Sequence, residues 1–342
     1  MTMHHDPDTP LPKGNDTPAN DGFAPAVPLT DLQQAVTRLR GEVGRVIVGQ
    51  EQVMELLLIA LLCNGHVLIE GAPGLAKTLT AKLLARTIRT AFSRIQFTPD
   101  LMPGDVIGTS VFDPGTGRFE FRPGPIFSNI VLVDEINRAP AKTQSALFEA
   151  MEERQVTVDG TTHKLASPFM VVATQNPIEQ EGTYRLPEAQ LDRFFFKIEV
   201  GYPTLEEEYR ILERARADRK DLSVEAVSPV LGVDELERAR ALVQQVRCEE
   251  RLMRYIAATV HRTRHDGALM LGASPRASLA ILDASRAHAA MAGRDFVVPE
   301  DVQAVTPHVL RHRVQLTPER EMEGLTPDQV IAFLVKQLEV PR

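Results

Sequence analysis

His66-Val67-Leu68-Ile69-Glu70-Gly71-Ala72-Pro73-Gly74-Leu75-Ala76-Lys77-Thr78 is a short apolar run that breaks into a Gly/Pro loop and ends in Lys-Thr. It reads as a β-strand feeding a phosphate-binding loop. Backbone N–H groups must turn inward around phosphates, which calls for glycine where a side chain would block the approach and for a helix starting immediately afterwards. Lys77 then neutralises the β- and γ-phosphates of a nucleotide, and the Thr78 hydroxyl holds Mg²⁺. Ala76 stands where a glycine before the lysine is usual, which narrows the conformations open to the loop.

A second stretch, Ile130-Val131-Leu132-Val133-Asp134-Glu135, is apolar and β-branched until it stops at two carboxylates. Such a run suits a central strand covered on both faces. Asp134 is placed to complete the Mg²⁺ shell, and Glu135 to polarise a water against the γ-phosphate.

The chain of 342 residues is 43% hydrophobic, enough for two domains each with its own core. Its longest apolar run, Leu56 to Cys63, falls far short of the ~20 residues of a membrane span. A formal charge of −8 argues against a broad basic surface for duplex nucleic acid. Cys63 and Cys248 lie far apart in helical segments, which fits reduced thiols of a cytoplasmic protein.

Residues 1–28 hold six prolines and no apolar periodicity, and so read as a disordered tail. Leu32, Val36, Leu39 and Val43 then repeat at helical spacing after Thr30-Asp31, which supply a capping oxygen. The linker Val48-Gly49-Gln50 is suited to pack against an adenine ring, and Leu79 follows the phosphate loop in a helix over 78–90. Arg94 to Phe97 reads as a strand, after which Pro99 and Pro103-Gly104 exclude a helix. An inserted hairpin is expected at about 105–125, turning at Asp113–Gly117, with Phe119 and Phe121 sharing one face. Pro140 opens a helix, and Asp159-Gly160 turns a second hairpin. Phe169 to Thr174 is another buried strand that delivers Asn176 beside the acidic pair, where its amide can orient the attacking water. Leu191 to Ile198 closes the α/β part with a fifth strand and places Arg193 at the end of a helix, where it is presented outward. This gives an α/β nucleotide-binding domain over 29–201.

Past Tyr202-Pro203 the pattern is helical to residue 342, with strand character only at Phe296-Val297-Val298. Pro275 starts a helix whose first turn carries Arg276, an unfavourable place for a cation unless an anion is near; a bound phosphate would be that anion. His261/His265 and His308/His312 have i, i+4 spacing but lack the further ligands of a zinc site, and read as surface or packing residues.

The order of these parts resembles the AAA+ ATPases, and within them the MoxR family. Gly71-Ala72-Pro73-Gly74-Leu75-Ala76-Lys77-Thr78, Val133-Asp134-Glu135-Ile136-Asn137-Arg138-Ala139, Thr174-Gln175-Asn176-Pro177 and Leu186-Pro187-Glu188-Ala189-Gln190-Leu191-Asp192-Arg193-Phe194 are similar to that family's own variants, Ala76 included. The resemblance implies an AAA+ P-loop core, a parallel five-stranded sheet with helices on both faces and hairpin inserts, followed by a helical lid. It implies Walker roles for Lys77, Thr78, Asp134 and Glu135, a sensor 1 role for Asn176, an arginine finger at Arg193 and a sensor 2 at Arg276. It further implies ATP and Mg²⁺ held between copies of a homo-oligomer, a hexamer, and chaperone work on a client with a von Willebrand factor A domain partner. A DNA-acting ring is the alternative; its hairpins would carry basic residues or a Gly-Ala-Phe-Thr-Gly-Ala loop, whereas Arg118, Glu120 and Arg122 alternate in sign and no such loop occurs.

Overall fold

A computed structural model describes residues 29–177, 184, 186–217 and 223–340. The tail expected over 1–28 lies outside the described residues. The first helix, α1 (Thr30–Val46), buries Leu32, Val36, Leu39 and Val43 as its spacing predicts, but Leu29 occupies the N-cap and no side chain caps it. Thr30 is already helical, so the expected capping oxygen is not used. The next helix, α2 (Glu51–Leu62), is apolar all round and buried from Val53 to Leu62 apart from Glu55, as a helix enclosed on every side must be.

Five parallel strands form the central sheet: β1 (Val67–Gly71), β2 (Phe92–Gln96), β5 (Ile130–Asp134), β8 (Met170–Gln175) and β9 (Phe196–Val200), in the order β2-β5-β8-β1-β9. Alternation along the strands divides the apolar residues between two cores. Val67, Ile69, Leu132 and Val172 face one side, where they join α1, α2, α3 (Lys77–Thr87) and the C-terminal helices in one continuous cluster. Leu68, Val131, Val133 and Val171 face the other, packing with Phe148, Phe194 and Phe97.

Between β2 and β5 the chain makes α4 (Pro103–Ile107) and a hairpin of β3 (Gly108–Asp113) and β4 (Arg118–Pro123). Pro103 therefore starts a helix at the position where its missing N–H costs nothing, correcting the expectation that it excludes one. After α5 (Ala141–Glu153) the second hairpin pairs β6 (Gln155–Val158) with β7 (Thr161–Lys164). Its turn residues Asp159 and Gly160 both have positive φ, 49° and 77°, the conformation a two-residue turn requires. The two hairpins are tied together by Phe121, which stacks on His163 with ring centroids 4.0 Å apart.

A four-residue helix, α6 (Glu188–Leu191), leads into β9, and α7 (Leu205–Ala217) leaves it. The remaining helices are α8 (Val233–Gln245), α9 (Glu250–Thr263), α10 (Pro275–Met291), α11 (Pro299–Leu310), α12 (Pro318–Met322) and α13 (Pro327–Gln337). Strands were missed here: β10 (Leu269–Leu271) pairs antiparallel with β11 (Gln315–Leu316), two pieces too short to show alternation in sequence. Phe296 makes only an isolated bridge to Arg247. Arg313 clamps this part to the sheet, bonding Asp192 Oδ1 at 2.7 Å and the carbonyls of Phe194 and Phe195 at 2.6 and 3.2 Å. Among the described residues no helix is long and apolar enough to cross a membrane.

Candidate functional site

The carboxyl ends of β1, β5 and β8 lie side by side, and each delivers one part of the site. From β1 the chain turns through Gly71–Ala76 into α3. Gly74 (φ 85°) and Ala76 (φ 52°) both take the left-handed conformation; alanine accepts it at a steric cost that glycine avoids. Ala76 is the N-cap of α3 and no side chain caps that end, so the helix N-terminus faces the loop. Lys77 Nζ reaches back across the loop to the Gly71 carbonyl at 2.6 Å. Gly74 is exposed, and a Cβ built there would meet nothing within 4 Å, so its positive φ and not crowding is what favours glycine at this position.

From β5 comes the acidic pair. Asp134 is nearly buried; its Oδ2 faces the Thr78 hydroxyl at 3.5 Å and accepts from Arg94 Nε at 2.6 Å, while Oδ1 accepts from Thr174 Oγ1 at 3.0 Å. Glu135 sits in left-handed backbone (φ 57°), strain of the kind held in place by surrounding packing at functional sites. Its Oε2 pairs with Arg138 at 2.8 Å and accepts from Gln96 at 3.0 Å, and its N–H donates to Thr174 Oγ1 at 3.1 Å. Asn176, buried, follows β8 between these strand ends. Sequence reading found the acidic pair and Asn176 but missed Arg94, Arg138 and Thr174, whose roles depend on neighbours in space.

Beside the loop lies a cavity of about 370 Å³ lined by Val48, Gly49, Gln50, Gly74, Leu75, Ala76, Leu79, Tyr202 and Ile211. The expected linker residues are thus brought together with the loop. Gln50 also locks the two: its Nε2 donates to the Leu75 carbonyl at 2.9 Å and its Oε1 accepts from Thr80 at 3.0 Å. Gly49 (φ 76°) takes left-handed backbone that favours glycine, and a Cβ there would have to push the Glu207 carboxylate aside.

Arg193 and Arg276 are not there. Phe195 N–H donates to the His66 carbonyl and Val67 pairs with Phe196, so Arg193 stands at the amino ends of the strands. Five strand residues at ~3.3 Å each, about 16 Å, separate that edge from the phosphate loop. Both arginines converge on Glu152, at 2.7 and 3.1 Å. Within this chain the anion beside Arg276 is a carboxylate at the opposite edge, one that sequence reading did not single out. Of the two histidine pairs, His308 and His312 are buried, while His261 and His265 are exposed with their Nε2 atoms 3.2 Å apart.

Residues 66–196 match the model of the ATPase family associated with various cellular activities (AAA), and residues 261–332 match an AAA lid domain. A Mycobacterium tuberculosis protein, Chaperone MoxR1, is 46% identical over 310 residues, 88% of this chain and 81% of that one. This chain belongs to the MoxR family of AAA+ ATPases. It is likewise 46% identical to the uncharacterized protein YeaC of Bacillus subtilis over 311 residues, 91% of this chain and 96% of YeaC. A crystal structure from Cytophaga hutchinsonii carrying the provisional name ATPase superposes with a TM-score of 0.84 at 40% identity, covering 91% of this chain and 97% of that one. The MoxR-family chain is thus a nucleotide-binding ATPase whose loop, acidic strand end and lid are those of an AAA+ protein.

Proposed function

We propose that this MoxR-family ATPase hydrolyses ATP at a seam between copies in a homo-oligomeric ring, a hexamer, and uses the cycle as a chaperone that matures or activates a client complex. One observation carries the reading: the cations Arg193 and Arg276 share Glu152 at one edge of the sheet, while the phosphate loop opens at the other. A side chain of ~7 Å does not cross ~16 Å of strand, so a phosphate reached by Arg193 belongs to another copy.

In this reading Lys77 and the α3 N-terminus bind the β- and γ-phosphates, and Glu135 takes the proton of the attacking water as the water oxygen bonds to the γ-phosphorus and the bond to ADP breaks. Asn176 orients that water. Thr78 and Asp134 would hold Mg²⁺, which supplies charge neutralisation on the β- and γ-oxygens; the fit rests on a hydroxyl facing a nearly buried carboxylate, a hard oxygen pair suited to that ion. Arg94 donates to Asp134 Oδ2 at 2.6 Å and to Gln96 Oε1 at 3.2 Å, and would shift toward Gln96 where Mg²⁺ takes that carboxylate oxygen. Arg193 and Arg276 of a neighbour stabilise the charge that spreads over the phosphoryl oxygens, releasing Glu152 as they do so.

Chaperone work is supported by the name of the Mycobacterium tuberculosis relative, and a von Willebrand factor A domain partner by the family resemblance. The tip of the first hairpin is suited to the client: Phe119, 72% exposed, stands edge-on to Phe112 with centroids 5.4 Å apart. The test is subunit mixing. Inactive Arg193→Ala and inactive Lys77→Ala proteins should recover part of the phosphate release when combined, since a mixed seam pairs an intact loop with an intact arginine. No recovery at any ratio would overturn hydrolysis in trans.

A further inference from the structure

Ser274 is the N-cap of α10, a position where a hydroxyl normally accepts from an N–H of its own first turn. Here it caps nothing. Its Oγ instead donates to Asp192 Oδ2 at 3.0 Å, 82 positions away in the segment that leads into β9. Both ends of this bond stand beside an arginine. Asp192 immediately precedes Arg193, and Ser274 is separated from Arg276 only by Pro275, whose ring holds φ near about −65° and stiffens the link.

The two sides of the bond are held by different parts of the molecule. Arg313, buried, donates to Asp192 Oδ1 at 2.7 Å and to the carbonyls of Asp192, Phe194 and Phe195 at 3.0, 2.6 and 3.2 Å, which sets the Arg193 segment against the sheet and leaves Oδ2 for Ser274. The start of α10 is held from the lid: Ala273 N–H donates to Thr263 Oγ1 at 3.0 Å, and its carbonyl accepts from Arg264 Nε at 2.8 Å, at the end of α9. The Ser274 hydroxyl joins these two frames, and the arginines that flank it meet on one carboxylate. Glu152 gives one oxygen to each guanidinium, Oε2 to Arg193 at 2.7 Å and Oε1 to Arg276 at 3.1 Å, a spacing that also suits two oxygens of a single phosphoryl group. We propose that Ser274 is a positioning residue for hydrolysis: its bond to Asp192 aligns Arg276 with the fixed Arg193, so that both cations act on the same phosphoryl group. This role rests on hydrolysis in trans and adds to it the side chain that makes the two arginines a pair.

The test is a double-mutant cycle of Ser274→Ala with Arg276→Ala in the full chain, read by single-turnover phosphate release, which resolves slow rates. Ser274→Ala should lower the rate roughly tenfold, part of the about 10²-fold that a misplacement of about 1 Å costs a reaction. Binding of a fluorescent ATP analogue at the other edge of the sheet should stay within about twofold of the parent, since only alignment in the transition state is lost. In the Arg276→Ala background the same substitution should change the rate by less than about twofold, because the cation it positions is gone. Ser274→Thr, which keeps the hydroxyl, should hydrolyse like the parent. A loss of equal size in both backgrounds would reveal a bond that merely holds the lid to the sheet, overturning the positioning role while leaving hydrolysis in trans intact. A parent-like rate for Ser274→Ala would overturn it as well. A parent-like rate for Arg276→Ala would remove that cation from the reaction and this role with it, and mixing Arg193→Ala with Lys77→Ala subunits would still decide hydrolysis in trans.

Discussion

The two edges of the central sheet do opposite work. At the carboxyl edge, backbone conformation is forced: Ala76 and Glu135 sit at φ 52° and 57°, and Asp134 is nearly buried, held by Arg94 and Thr174. At the amino edge, Arg193 and Arg276 are partly exposed on long side chains and share Glu152, an arrangement that can be exchanged for another anion at little cost. In the function proposed above, one edge holds a fixed cradle and the other lets go of one partner to take a second. A parallel sheet makes this division available, because its loops at either end belong to different connections.

The largest expected effect tests the exchangeable edge: Arg193→Ala should lower ATP turnover by roughly 10³-fold or more with nucleotide affinity nearly unchanged, as a cation acting on the transition state requires. Phosphate release together with a binding titration checks it, and equal losses in both would place Arg193 in the fixed cradle instead. At the other edge Glu135→Gln should cost about 10²- to 10⁴-fold in turnover while ATP still binds, because only proton acceptance is removed. Phe194→Ala, next in the chain to Arg193 and fully buried against Phe148 with ring centroids 5.8 Å apart, should destabilise the fold by about 3–5 kcal/mol in denaturant titrations.

Acid should weaken the amino edge in a readable way. His66 is buried; Val171 N–H donates to its Nδ1 at 2.9 Å, leaving Nε2–H to donate to the Met151 carbonyl at 3.0 Å. Both ring nitrogens are thus committed to the neutral form, and burial pushes its pKa down to about 3. Between that value and the 6.5 of the unfolded chain, only the unfolded state takes up the proton, so stability is complete above 6.5 and falls as pH drops. From pH 7 to 5 His66 should contribute a loss of about 2 kcal/mol, at ~1.4 kcal/mol per pH unit below 6.5, added to that of buried His308 and His312, whose pKa values burial also lowers. A flat profile in thermal melts over this range would remove His66 from the edge's support. An effect of similar size belongs to Thr174→Val, which leaves Asp134 Oδ1 and the Glu135 N–H without their shared hydroxyl. It should cost about 1–3 kcal/mol in stability and lower turnover, with stability and phosphate release measured on the same sample.

Much of the carboxyl edge was legible in the chain because its parts are contiguous. A strand, a loop and a helix start are written within Val67–Thr78, and Asp134-Glu135 ends a strand that burial on both faces makes conspicuously apolar. The amino edge was half legible. Arg193 and Arg276 were singled out, but their common partner Glu152 looks like any acid on a solvated helix, and only packing of α5 and α10 makes it one. Arg94 was read as part of a strand and nothing more, since the residue it meets is 40 positions away. The Pro103 helix and the β10–β11 ribbon were lost for a simpler reason: elements of two to five residues carry no period.

The sequence by itself determined the P-loop core, the acidic strand end, both hairpins and the helical C-terminal part, because periodicity, turn residues and glycine placement act over a few neighbours. Tertiary structure alone decided which edge of the sheet each charged residue occupies, and hence that the loop and the arginines of one chain stand about 16 Å apart at ~3.3 Å per strand residue. The reason is geometric: strand direction and order are fixed by the packing of all five strands into two cores, and no local pattern encodes them.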